Sequence, residues 1–147
     1  MNRQGDSVMK WLVLCLVGLL IADPSGLAHA GDAVSVRALP PVVVKTFPVA
    51  GDTKVDPTIS EVRVTFSKDM MTEEMWSWVI HTRESFPKIV GKVRYLADGR
   101  TCVAPVKLEP GRKYAIWFNS PNYKHNAFRD QGNNPAIPYL LVFETRK

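Results

Sequence analysis

Beyond residue 41, apolar and polar residues alternate with a period of two, the spacing of strands with one buried face. In residues 59–66, Val62, Val64 and Phe66 fall on one face and Glu61, Arg63 and Thr65 on the other. Val42 to Phe47 is a β-branched run stopped by Pro48, the signature of an edge strand. Met75 to His81 sets Trp76, Trp78 and Ile80 against Met75, Ser77 and Val79, and Ile89 to Tyr95 sets Ile89, Val93 and Tyr95 against Lys92 and Arg94. Thr101 to Val106 is a fifth strand. Tyr114, Ile116 and Phe118 then alternate with Ala115, Trp117 and Asn119, and Pro138 to Thr145 closes the series. Between the runs lie turn formers: Gly51-Asp52, Ser67-Lys68-Asp69, Asp98-Gly99 and Pro110-Gly111. A short helical turn is expected only over Met70 to Glu74. About seven short strands without sustained helical periodicity predict an all-β chain folded as two packed sheets over residues 42–147, after a linker over 31–41.

Tyr114 opens its strand directly after the Pro110-Gly111 turn. A ring in that position is the sequence image of a tyrosine corner, in which the hydroxyl bonds back to upstream backbone while the ring enters the core. This makes the expected architecture an immunoglobulin/fibronectin-III-like β-sandwich. Tyr114, Pro110, Gly111, Phe66 and Trp78 are its expected structural residues. Ala115, Trp117 and Asn119 are then expected to face outward.

The first thirty residues have a different pattern. Arg3 and Lys10 precede an uninterrupted apolar run from Trp11 to Ala22, and Ala28-His29-Ala30 offers a small-x-small cleavage site. The run falls short of the roughly 20 residues a permanent membrane helix needs. Residues 1–30 are therefore expected to be a signal peptide cleaved after Ala30, leaving no stable transmembrane segment and a periplasmic, secreted or cell-surface protein. Processing would remove Arg3, Lys10, Asp6 and Asp23, so the net charge of +5 is unchanged. The basic residues are scattered, which favours solubility and no nucleic-acid partner. Cys102 is the single cysteine after residue 30, so no internal disulfide is expected even in an oxidising compartment.

Several segments resemble a known family in their order and spacing. These are Pro41-Val-Val-Val, Phe47-Pro48-Val-Ala-Gly51, Val64-Thr-Phe66-Ser67-Lys-Asp-Met70, Leu108-x-Pro110-Gly111-x-x-Tyr114, Asp130-x-Gly132-Asn133 and Phe143-Glu-Thr145. Together they resemble the bacterial Ig-like domain of S-layer and other cell-surface proteins. The resemblance implies an exported, non-catalytic spacer, adhesion or binding module. The pattern occurs once in this sequence, which shifts the expectation from spacing to binding.

Candidate chemistry is sparse. His81 and His125 have no cluster of Cys, Asp and Glu at metal-ligand spacing, so neither metal nor cofactor is expected. Glu73 and Glu74 are adjacent and would point apart, against paired acid–base work. Asp130-Gln-Gly132-Asn133-Asn134 lacks the regularly spaced acids of a calcium loop and reads as a turn. No enzymatic activity is expected. The remaining signal is aromatic: Trp117 on the outer face, with Asn119, Tyr123, Lys124, His125 and Arg129 on or beside the connection over 119–137. These are the expected binding residues for a protein or envelope polymer, with polysaccharide stacking on surface aromatics as the alternative.

Overall fold

The computed structural model describes residues 35–147. Residues 1–30, expected as a signal peptide, lie outside the described residues. Eight strands follow in order: β1 (Val43–Phe47), β2 (Glu61–Phe66), β3 (Trp78–Ile80), β4 (Lys88–Ile89), β5 (Arg94–Tyr95), β6 (Thr101–Lys107), β7 (Lys113–Phe118) and β8 (Tyr139–Glu144). One sheet runs β1-β2-β6, with β4 and β5 both paired to the far edge of β6; the second runs β3-β7-β8. All of these pairings are antiparallel.

The inward rows are the ones the alternation places inside. Val62, Val64 and Phe66 of β2 meet Ile116 and Phe118 of β7 and Leu141 and Phe143 of β8 in one buried cluster. Phe128, from the connection over 119–137, enters this cluster as a fully buried ring. Its centroid lies 4.9 Å from Phe66 and 6.0 Å from Phe118. Non-polar burial of this kind carries the stability of a domain whose only described cysteine, Cys102, is a buried free thiol.

The corner before β7 is held by hydrogen bonds as well as packing. The Tyr114 ring is buried against Phe143 at 5.2 Å, and its phenol oxygen accepts the Glu109 N–H at 2.7 Å. Thr145 is also buried. Its hydroxyl donates to the Glu109 carbonyl at 2.7 Å and accepts the Arg112 N–H at 2.9 Å, tying the end of β8 to the same turn. Gly111 takes φ 64° there, a left-handed conformation that a side chain would strain.

Four expectations are corrected. First, the single strand over Ile89 to Tyr95 is two short pieces, Lys88–Ile89 and Arg94–Tyr95. Ile89 pairs with Val106 but Arg94 with Val103, so four residues of one strand face two of the other. The break lies opposite Pro105, which has no N–H to donate. Gly91 sits where a Cβ would approach the Pro105 ring to 3.2 Å. Second, the strand over Met75 to His81 shrinks to Trp78–Ile80, after Glu74 turns the chain at φ 56°. Third, Met70 makes an isolated bridge to Asp130 in place of a helical turn. Fourth, Ala115 is buried although it lies on the outer row, because the turn over residues 82–85 folds onto it and Ser85 O accepts its N–H at 2.9 Å.

Residues 35–41 of the expected linker pack on the domain. Lys68 Nζ donates to the Arg37 carbonyl at 3.2 Å and to that of Leu39, and forms a 2.9 Å ion pair with the buried Asp130 carboxylate. Ile137 N–H donates to the Pro41 carbonyl at 2.9 Å.

Candidate functional site

On the outer face of the three-stranded sheet, strand register puts Val79, Trp117 and Leu140 side by side in one row. His81, Ala115 and Val142 form the next row by the same register. Cross-strand neighbours on one face stand close enough to pack, so the first row is a continuous apolar stripe. Trp117 is half-buried by these neighbours. Its indole N–H donates to His81 Nδ1 at 3.2 Å, which holds the ring across the sheet. Val142 is 43% exposed beside it.

The other expected binding residues do not converge on Trp117. Asn119 is a correction: it is fully buried and serves the fold. Its side-chain amide donates to the carbonyls of Phe128 (3.0 Å) and Ala136 (2.9 Å), and its Oδ1 accepts the Phe128 N–H (3.0 Å). The outward direction expected from strand alternation fails because Asn119 sits past the end of β7 at φ 58°, where the strand period no longer applies. Arg129 is half-buried and its guanidinium is committed within the connection, to Asn126 Oδ1 and to the carbonyl and side chain of Asn133. Tyr123, Lys124 and His125 are exposed at the tip of the connection. Tyr123 begins that tip at φ 57°, and its N–H bonds Ser120 O.

Trp76 and Trp78 lie on the inner side of their sheet but close the mouth of the sandwich and are not fully enclosed. Trp78 is partly buried, edge-on to Phe118 at 4.9 Å and to Phe128 at 6.3 Å. Trp76 lines two adjoining clefts on the open side of the molecule, between β3 and the β4–β5 region. One, of about 470 Å³, runs along Ser77, Trp78 and Ile80 with Ile89 and Val93 opposite and His125 at its rim. The other, of about 600 Å³, continues past Trp76 toward Glu73, Glu74, Arg94 and Tyr95. Alternation alone did not reveal this opening; the pair Gly91 and Pro105, which interrupts the strand beside it, was the available signal.

Titratable groups follow their surroundings. Burial pushes the Cys102 thiol up to about 12, with a partial offset from the Trp78 indole and the Val103 N–H. Burial likewise raises the Tyr95 phenol, which donates to Met75 O at 3.1 Å. At Asp130 burial acts upward, but the Asn134 N–H and Lys68 outweigh it and hold the carboxyl below its ordinary range. The loop over Asp130 to Asn134 is thus an Asx-type turn closed by Lys68. Among the described residues no group of three His, Cys, Asp or Glu side chains is placed to hold a metal ion, and no helix is long and apolar enough to cross a membrane.

A family model described as a bacterial Ig-like domain matches residues 38–145. Among solved structures, the N-terminal part of the bacterial S-layer protein SbsC is similar at 18% identity and a TM-score of 0.47, over 76% of this chain and 24% of that one. The structure of surface layer protein SbsC, domains 1–6, is similar to the same degree, and 14% of its length is covered. The chain therefore spans less than a quarter of these solved chains. No curated protein matches the sequence.

Proposed function

The chain belongs to the bacterial Ig-like domain family, and from that premise we propose that it is an exported, non-catalytic module that binds a protein or polymer of the cell envelope. In this reading residues 1–30 are a signal peptide removed after Ala30, and residues 42–147 are the binding domain. The mature protein works in the periplasm or at the cell surface. The stripe of Val79, Trp117 and Leu140, with Val142 exposed next to it, is the observation that carries the proposal. Apolar side chains gathered on the outside of a sheet, with a Trp held in place by a hydrogen bond, match the make-up of a partner-binding patch. Tyr123, Lys124 and His125 at the tip of the connection would extend the contact, whereas Asn119 and Arg129 would only support it.

The polysaccharide alternative is less well supported. Its aromatic platform reduces to the single half-buried Trp117 ring, since Trp76 and Trp78 lie on the inner side of their sheet and Tyr123 stands alone on the loop. Retention of the protein on isolated cell envelopes, compared with that of Trp117→Ala and Val142→Glu, tests the proposal. Loss of retention with an unchanged melting temperature is expected. Equal retention of all three proteins would overturn the assignment of this face. Tryptophan fluorescence titrated with soluble envelope polysaccharides should stay constant, and a saturable change would restore the alternative.

A further inference from the structure

The sheet built from β1, β2, β6, β4 and β5 has an outer face of its own, on the opposite side of the sandwich from Trp117. Val62 and Val64 of β2, Cys102, Ala104 and Val106 of β6, Ile89 and Tyr95 all face the core, so their strand neighbours point outward. Register then fixes how the outward side chains line up. Phe47, Arg63, Val103 and Arg94 form one row across β1, β2, β6 and β5. Lys45, Thr65 and Thr101 form the row on one side of it, and on the other Lys88 stands opposite Lys107. Lys45, Arg63, Lys88, Arg94 and Lys107 are scattered in sequence, yet all five are exposed on this one face. Among the described residues these strands place a single carboxylate beside them, that of Glu61 opposite Pro105.

This distribution does not serve the sheet itself. Lys88 and Lys107 are direct cross-strand partners, a position in which like charges destabilise. Neither they nor Lys45 has a carboxylate partner among the described residues. Both arginines are turned to Glu61, Arg63 through Nε at 2.7 Å and through Nη2, and Arg94 through Nη2 at 3.5 Å. A recess of about 220 Å³ is lined by Lys45 and Arg63 together with Thr65 and Thr101, and by no acid. The two hydroxyls are committed to each other at 3.0 Å and to Asp98 Oδ2 at 2.6 Å, so the recess selects by charge.

We propose that this face binds a linear phosphate polymer, whose successive phosphates run from the recess between Lys45 and Arg63 across to Lys88 and Lys107. From the level of Thr101 to that of Lys107 is about 20 Å along the strands, room for several charges of such a chain. Unpaired ammonium groups hold phosphate as point charges, whereas the planar fork that suits carboxylates is already turned to Glu61 in both arginines. A nucleic acid fits less well, because its bases need rings to stack on. The one ring in these rows, Phe47, already lies under the Arg63 guanidinium at 5.7 Å.

End-labelled inorganic polyphosphate is titrated with the full chain and followed by fluorescence polarisation. Saturable binding is expected, weakening steeply as salt is raised, because neutralised phosphates release their counterions. Lys45→Glu with Lys107→Glu should weaken it at least about tenfold. Lys54→Glu with Arg83→Glu makes the same change in net charge away from this face, and Trp117→Ala alters the other sheet. Both should change binding less than about twofold at physiological salt, where distant charges are screened. Lys88→Glu faces Lys107 with an opposite charge, so it should weaken binding without lowering the melting temperature, which separates loss of the site from loss of the fold. No saturable binding at low salt, or equal weakening by the Lys54 and Arg83 changes, overturns the proposal. Polygalacturonate, single-stranded DNA or anionic phospholipid vesicles binding as tightly as polyphosphate at matched charge would overturn it equally, and would assign the face to that partner instead.

Discussion

Replacing Asn119 by Ala should destabilise the domain far more than a residue just past a strand end ordinarily does. The side chain is fully buried and bonds three backbone groups of the connection over 119–137. In the variant, the Phe128 carbonyl keeps a partner, since it also accepts the Ala136 N–H at 2.8 Å. The Phe128 N–H and Ala136 C=O do not, and each buried group left unpaired costs about 1–3 kcal/mol. Ala must also adopt φ 58°, a left-handed conformation that costs it about 1 kcal/mol or more and that Asn tolerates better. The sum is about 3–7 kcal/mol, a large part of the roughly 5–15 kcal/mol typical of a domain. Urea unfolding followed by tryptophan fluorescence measures it. Asn119→Gly isolates the hydrogen-bond loss, because Gly accepts the backbone angle freely, and it should cost about 1 kcal/mol less than Ala. A loss below about 1 kcal/mol in the Ala variant would refute the reasoning, because it falls beneath the cost of even one orphaned group. So would unchanged hydrogen-exchange protection at the Phe128 amide.

Phe66 is essentially inaccessible and packs on Phe128, so Phe66→Ala should lower stability by about 3–5 kcal/mol in the same urea assay. Tyr114→Phe keeps the ring and removes only the acceptor of the Glu109 N–H, and a loss of about 1 kcal/mol is expected by calorimetry. Cys102, buried and with its thiol pushed up to about 12, should resist a thiol-reactive dye at pH 8 in the native protein and react fully in urea. Asp130 is held below its ordinary pKa, so its contribution is present above the unfolded value of about 4 and is lost as pH falls through the folded value. Urea midpoints should therefore drop below about pH 4. Asp130→Asn should flatten part of that drop, while Asp56 and Asp98, which are lowered as well, sustain the remainder.

How far the sequence could be read depended on whether a residue's environment is set by its neighbours along the chain. The inward faces of β2, β7 and β8 were legible because a buried sheet face imposes a strict two-residue period, which Val62-Val64-Phe66 and Tyr114-Ile116-Phe118 display directly. The corner was legible because Pro110-Gly111 and Tyr114 are local partners, and the order of such motifs also carried the family resemblance. Residues past strand ends were not. Asn119 follows the same alternation as Trp117, yet the turn at φ 58° sends it inward to bond Phe128 and Ala136, whose positions depend on how the whole connection folds.

Fold class and the identity of the core rows were thus decided by the chain's own alternation, because burying one face of a strand is a local constraint repeated every second residue. The free edge of β3, the cleft beside it and the bonding of Lys68 to Asp130 were decided only by tertiary structure. Each depends on which distant strands pair and where pairing stops. Pro105 interrupts a ladder with residues 90–93, and no rule applied to that stretch alone reveals that the interruption leaves Trp78 and Ile80 facing an open trough.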